Sequence, residues 1–216
     1  MIIDGQTLKT SSAHNIHSCG PQRVQKAIGF CLSHLPHPLV RDNKVVAYDP
    51  LCGNGVIPAQ LRANFSAAVS HVFASDASQQ AVDVTRKNLH MFDRPTAPEF
   101  DVFRHNTKAP VPDVVQDGSV HLVVTDPPYG HSCHWVDERN QIRDSERDRA
   151  MFLETLFQHL DIKMAPEAIV GLITSTRMKL EDRLGNFEPE ETYEIPGFSM
   201  NDARRLHIMK RVKTAS

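Results

Sequence analysis

The sequence has no uninterrupted apolar run close to the ~18 residues that a membrane span requires; stretches such as 168–173 stop far short. It also lacks a basic segment ahead of an apolar start, because Met1-Ile2-Ile3 is broken at Asp4, so no signal peptide is expected. Cysteines number only four, with no Cys-x-x-Cys pair, which argues against disulfide and zinc-ribbon frameworks and points to the reduced thiols of a cytoplasmic protein. There is no excess of positive charge: 24 Lys and Arg face 26 Asp and Glu, for a formal net charge of -2. A generally basic nucleic-acid coat is thereby excluded, and any contact with a polyanion must come from local patches. Repeats and low-complexity tracts are absent as well. With 216 residues, 40% of them hydrophobic, the chain suits one domain with a full core and leaves no room for a second large one.

What is present is an alternation of short β-branched or apolar runs with stretches of helical period, the pattern of an α/β fold on a mostly parallel sheet. The spacing predicts strands at 45–49, 71–76, 101–106, 120–126, 168–174, 192–198 and 204–210. Val24, Ile28, Cys31, Leu32 and Leu35 keep one helical stripe, and Leu153, Leu156, Phe157, Leu160 and Met164 keep another. Ser78 reads as the N-cap of a helix running to about Met91, and a further helix is expected from Ala59. Pro196-Gly197 and Asn201-Asp202 punctuate short runs, so the last two strands should join like a hairpin and add an antiparallel strand. Residues 1–20 read as an N-terminal extension and 21–216 as the domain.

Strand 45–49 runs into Asp49-Pro50-Leu51-Cys52-Gly53-Asn54-Gly55. In a doubly wound sheet a nucleotide-like ligand sits in the crevice beyond such a strand's carboxyl end, and Gly53 and Gly55 let the backbone approach it. A tight strand-to-helix turn accounts for the same Gly-x-Gly. Pro58 stands where a dinucleotide fingerprint has its third glycine, which weakens a pyrophosphate reading. Asp49 at the strand tip suits a cationic, amine-bearing ligand. Asp76, at the next tip, can accept hydrogen bonds from both ribose hydroxyls or cap the following helix, a task open to Ser78 as well. Asn106, at the third, can pair with the edge of an adenine. S-adenosylmethionine meets all three demands, whereas NAD meets two. The expected cofactor contacts are Asp49, Cys52, Gly53, Gly55, Asp76 and Asn106.

Strand 120–126 leads into Asp126-Pro127-Pro128-Tyr129-Gly130. Two prolines end a strand and stiffen the loop, because both fix φ and neither carries an amide hydrogen. An exocyclic base amine is a poor nucleophile, its lone pair being delocalised into the ring. If the Asp126 carboxylate and the Pro127 carbonyl each accept one of its hydrogens, the nitrogen is held with its lone pair aimed at a donor carbon. Tyr129 can stack on the base, worth roughly 1–3 kcal/mol. A strand-ending turn with a packed tyrosine is the plainer alternative, though two such loops seldom converge at one sheet by accident. His131, Cys133 and His134 carry zinc-ligand chemistry, but a fourth ligand and the usual paired spacing are missing, so no metal is expected and His134 is read as a substrate contact. Trp135 fits equally a core position or a second stacking surface. Asp126, Pro127 and Tyr129 are the expected catalytic residues, with Tyr129, His134 and Trp135 on the substrate.

Through these two motifs the sequence resembles the Rossmann-like class I S-adenosylmethionine-dependent methyltransferases, over about residues 20–210. The first motif is similar to that of the RNA guanine-N2 methylases found beside THUMP domains. Thr125 to Gly130 with His134-Trp135 is similar to the avilamycin-resistance type of ribosomal RNA methyltransferase. The resemblance implies a seven-stranded sheet in the order 3-2-1-4-5-7-6 with helices on both faces, and a cofactor crevice under Gly53 and Gly55. It also implies methylation of guanine N2 in large-subunit ribosomal RNA. Methylation of adenine N6, in RNA or DNA, stays open because Asp-Pro-Pro-Tyr serves either amine. A methyltransferase-fold binding subunit without catalysis is the remaining alternative, against which the intact Gly53, Gly55, Asp76, Asp126 and Tyr129 stand. No separate RNA-binding domain fits before Val45, so target choice is expected to rest on the N-terminal segment, the loop after Tyr129 and the stretch 204–213. That stretch holds five Lys or Arg and no acid, and reads as the densest uncompensated basic group, or else as a solvated charged surface.

Overall fold

Strands covered on both faces must be near-continuously apolar, and three runs satisfy this: Val45–Asp49, Val120–Thr125 and the centre of Met164–Ser175, all lined by buried side chains. They lie at the middle of a seven-stranded sheet in the computed structural model, which describes residues 2–3, 6–7, 21–127, 146–175, 180, 184–195 and 203–211. In chain order the elements are β1 (Ile2–Ile3), β2 (Gln6–Thr7), α1 (Pro21–Ser33), α2 (His37–Arg41), β3 (Val45–Asp49), α3 (Val56–Asn64), β4 (Val69–Asp76), α4 (Gln79–His90), β5 (Glu99–Arg104), β6 (Val120–Thr125), α5 (Glu146–Lys163), β7 (Met164–Ser175), β8 (Phe187–Ile195) and β9 (Arg204–Arg211). The large sheet runs β5-β4-β3-β6-β7-β9-β8, which is 3-2-1-4-5-7-6 when only its own strands are counted. β9 pairs antiparallel with β7 and β8, and the other pairs are parallel. The parallel strands therefore end on one rim. The chain winds outward from β3 through β4 to β5 and then returns to β6, so the crevice of this topology opens at the tips of β3 and β6.

One face of the sheet buries α1, α3 and α4 through residues such as Val24, Ile28, Leu61, Val82 and Leu89; the other buries α5 through Leu153, Leu156, Phe157 and Leu160. Ser78 caps α4, its hydroxyl accepting from the Ala81 amide at 3.3 Å. Helix α1 packs on the sheet over Gly171 of β7, where a Cβ would lie 2.3 Å from the Cys31 sulfur. Cys31 is fully buried, and that burial pushes its thiol up to about 12. Gly171→Ala is expected to overpack this contact and cost about 1–3 kcal/mol in chemical denaturation. Adding Cys31→Ala should return part of the loss, and strictly additive losses would show that the two residues do not press on one another.

Several elements depart from the sequence expectations. Helix α3 starts at Val56 rather than Ala59, because Pro58 stands in the first turn, where an amide hydrogen has no intrahelical partner to lose. β5 ends at Arg104, so Asn106 lies in the following loop, and Asp126 is the first residue past β6. β8 begins at Phe187, five residues before the expected start; its glutamates and Pro189 concealed an edge strand, which tolerates both. The hairpin of β1 and β2 and the short α2 had no signal in the sequence reading.

The reading of the basic stretch as uncompensated is corrected. β8, which carries Glu188, Glu190, Glu191 and Glu194, lies antiparallel against β9, so opposite charges meet as cross-strand pairs. Arg205 reaches Glu194 at 3.5 Å, Lys210 pairs with Glu190, and Arg211 binds Asp161 of α5 at 2.7 Å. Arg204 is buried, and Lys213 lies outside the described residues. Charges on two successive strands became partners through the antiparallel pairing of β8 with β9, and Arg211 found its partner on α5, 50 residues away.

Candidate active site

The loop after β3 is built around two left-handed glycines, Gly53 at φ 50° and Gly55 at φ 79°, a region other residues enter only with strain. Gly55 has a second constraint, since a Cβ there would come within 2.8 Å of the Thr85 side chain on α4. The loop's polar groups are fixed one by one. The Cys52 amide donates to the Ser75 carbonyl at 2.9 Å, and the Gly55 amide to the Cys52 carbonyl at 2.7 Å. The Tyr48 hydroxyl meets that of Ser75 at 2.8 Å, and Ser75 donates to the Pro50 carbonyl at 3.3 Å. From α4, the Thr85 hydroxyl donates to the Gly53 carbonyl and the Asn88 amide to the Asn54 carbonyl, each at 2.9 Å.

Three carboxylates converge beside this loop, from the tips of adjacent strands: Asp76 of β4, Asp49 of β3 and Asp126 just past β6. The Asp76 carboxylate is held on both oxygens, by the Gly53 amide at 3.0 Å and the Ser78 amide at 2.9 Å. Asp49 is 1% exposed. Burial pushes its carboxyl up to about 8; the charges of Asp76 and Asp126 add to the push, and the Leu51 amide and Thr125 hydroxyl oppose it. An acid so placed is either protonated or awaiting a cation.

A pH dependence follows. The Asp49 carboxyl ionises near 3.8 when unperturbed and at about 8 in the fold, so between those values the folded protein holds the extra proton. Its share of stability is therefore full at low pH and lost as pH rises toward the folded value. Asp49→Asn should gain on the native protein from about pH 5 to about pH 8.5, as read by urea denaturation at each pH. A gap that does not change with pH would remove Asp49 as the titrating group.

The remaining expected contacts are placed as follows. Asn106 is exposed in the loop after β5, its Oδ1 accepting from the Lys108 amide at 3.1 Å. Cys52 is buried with its sulfur 3.6 Å from the Thr85 hydroxyl, and its thiol is raised well above the usual range by burial. Its side chain thus packs on α4 while its backbone shapes the loop. Pro127 is buried directly after Asp126. Tyr129, His131, Cys133, His134 and Trp135 lie outside the described residues. Among the described residues no cluster of three or more His, Cys, Asp or Glu side chains is arranged to hold a metal ion, and no helix is long and apolar enough to cross a membrane. Thr85 and Asn88 were missed in the sequence, although a signal existed: both are polar residues on the buried stripe of α4 that also carries Ala81, Val82 and Leu89.

A family model described as UPF0020, RMKL-like, methyltransferase domain matches residues 40–201. No curated protein matches the chain in sequence. Among solved structures, TrmN from Thermus thermophilus is similar with a TM-score of 0.66 at 14% identity, over 93% of this chain and 51% of that one, so the chain spans about half its length. The rRNA methyltransferase aviRa from Streptomyces viridochromogenes is similar with a TM-score of 0.64 at 19% identity, over 93% of this chain and 88% of that one. At such identities the likeness is one of fold.

Proposed function

Because the chain belongs to the UPF0020 family of RMKL-like methyltransferase domains, we propose that it transfers a methyl group from S-adenosylmethionine to an exocyclic amine of an RNA base, guanine N2 of ribosomal RNA. The observation that carries this reading is the convergence of Asp49, Asp76 and Asp126 on a loop of left-handed glycines. The donor set fits the cofactor. A carboxyl as buried as Asp49, beside two further acids, favours a cation, and Gly53 and Gly55 offer backbone without side chains. In this reading Asp49 holds the methionyl amine, Asp76 the ribose hydroxyls and Asn106 the adenine edge, with Cys52, Gly53 and Gly55 forming the loop beneath. S-adenosylmethionine, when bound, supplies a methyl group on a positively charged sulfur.

The chain's own part is positioning and charge. The Asp126 carboxylate and the Pro127 carbonyl orient the two hydrogens of the acceptor amine, and Asp126 stabilises the positive charge that builds on nitrogen in the transition state. Pro127, buried and without an amide hydrogen, holds that carbonyl at the strand tip. Tyr129, His134 and Trp135 are assigned to the base. The RNA substrate is supported by the likeness to a protein named as an rRNA methyltransferase and by the Asp-Pro-Pro-Tyr turn.

Incubation with methyl-labelled S-adenosylmethionine and total RNA, followed by digestion to nucleosides, tests the proposal. N2-methylguanosine is the expected product. N6-methyladenosine would transfer the assignment to the other amine, and a protein that binds cofactor yet labels nothing would be a binding subunit.

A further inference from the structure

We propose that Thr85 and Asn88 of α4 are positioning residues that hold the cofactor loop in its binding conformation before the ligand arrives; this rests on the reading of the crevice as an S-adenosylmethionine site. Both side chains are fully buried. A hydroxyl and a carboxamide so placed destabilise the fold unless their hydrogen bonds are made. They take the carbonyls of two consecutive loop residues, Gly53 and Asn54, each at 2.9 Å.

Each peptide unit is planar, so pinning its carbonyl fixes the orientation of the whole unit. Two pinned units in succession define the path from Gly53 to Gly55, the segment with the greatest backbone freedom in the loop. Thr85 contributes in a second way. Its Cγ2 and Oγ1 would lie 2.8 and 2.9 Å from a Gly55 Cβ, so the side chain whose hydroxyl holds the loop also leaves room there only for glycine. The same helix secures the ribose acid, because its cap Ser78 donates its amide to Asp76, whose other oxygen takes the Gly53 amide. A continuous chain of hydrogen bonds thus runs from Asp76 through Gly53 to Thr85. Ordering the loop in advance removes an entropic cost from ligand binding.

The test separates loop order from binding. Thr85→Val keeps the shape and removes the hydroxyl, Thr85→Ser keeps the hydroxyl and removes the methyl, and Asn88→Leu removes the donor. In the ligand-free protein, Thr85→Val and Asn88→Leu should speed amide hydrogen exchange at Gly53 to Gly55 while the strands keep native protection. Calorimetry with S-adenosylhomocysteine should then show Kd weakened about tenfold, and Thr85→Ser should stay within about twofold of native. In turnover, the cofactor KM should rise with kcat unchanged at saturation. Native exchange in folded Thr85→Val and Asn88→Leu overturns the clamp whatever binds, and a loosened loop with native Kd overturns its role in binding. If the native protein gives no heat with S-adenosylhomocysteine, the reading of the crevice fails instead, and loop exchange still decides whether α4 holds the loop.

Discussion

Asp126→Ala should reduce methyl transfer by roughly a hundred- to a thousandfold or more, the scale lost when one preorganised electrostatic group is removed from a reacting centre, while cofactor affinity changes little. The residue stands just past β6, next to a buried proline, with its charge felt by Asp49 across the crevice. Its proposed contact is with the acceptor amine, and that contact matters most as positive charge grows on nitrogen. Removing it also removes one of the two negative charges that raise Asp49. The buried acid then ionises more readily, which favours a cationic ligand and works against any loss of binding. Single-turnover kinetics with saturating cofactor and calorimetry on the same preparation separate these effects. Equal losses in rate and affinity would place Asp126 in the cofactor site and sink the proposed chemistry.

Asp76→Ala should weaken cofactor binding by tenfold or more. The charge-assisted hydrogen bonds proposed to the ribose are worth about 1.5–3 kcal/mol, and each 1.4 kcal/mol is about tenfold in Kd. The structure adds a second route to the same loss, because the carboxylate also brackets the Gly53 and Ser78 amides. Asp76→Asn retains an acceptor for one of these amides and should fall between alanine and native. An unchanged Kd in a folded alanine variant would make Asp76 a bracket for the loop and the helix start, with no part in ligand contact.

Strand tips were legible in the sequence because the apolar runs are bounded by Asp49, Asp76 and Asp126, and the Ser78 cap was legible because its hydroxyl is placed for the first turn of α4. Boundaries were less so where a residue has two readings. The helix expected from Ala59 starts ahead of Pro58, which a first turn accommodates, and the strand expected from 192 starts at Phe187, because an edge strand accommodates Pro189 and its neighbouring glutamates. What sequence order hid were partnerships made across space. Arg205 and Lys210 look unmatched until β8 lies beside them, and Thr85 looks like an ordinary helix residue until the loop after β3 folds over it.

A sheet that ends in an open strand offers its unpaired backbone groups to any similar strand nearby. Along β8 the exposed residues are Glu188, Pro189, Glu190, Glu191, Thr192 and Glu194, and the ladder to β9 shifts register between Pro189 and Glu191. The proline withholds a donor, the shift breaks the even spacing a newcomer would match, and a second copy laid alongside would set carboxylate against carboxylate. Crowded molecules are thus discouraged from zipping into fibrils at this edge.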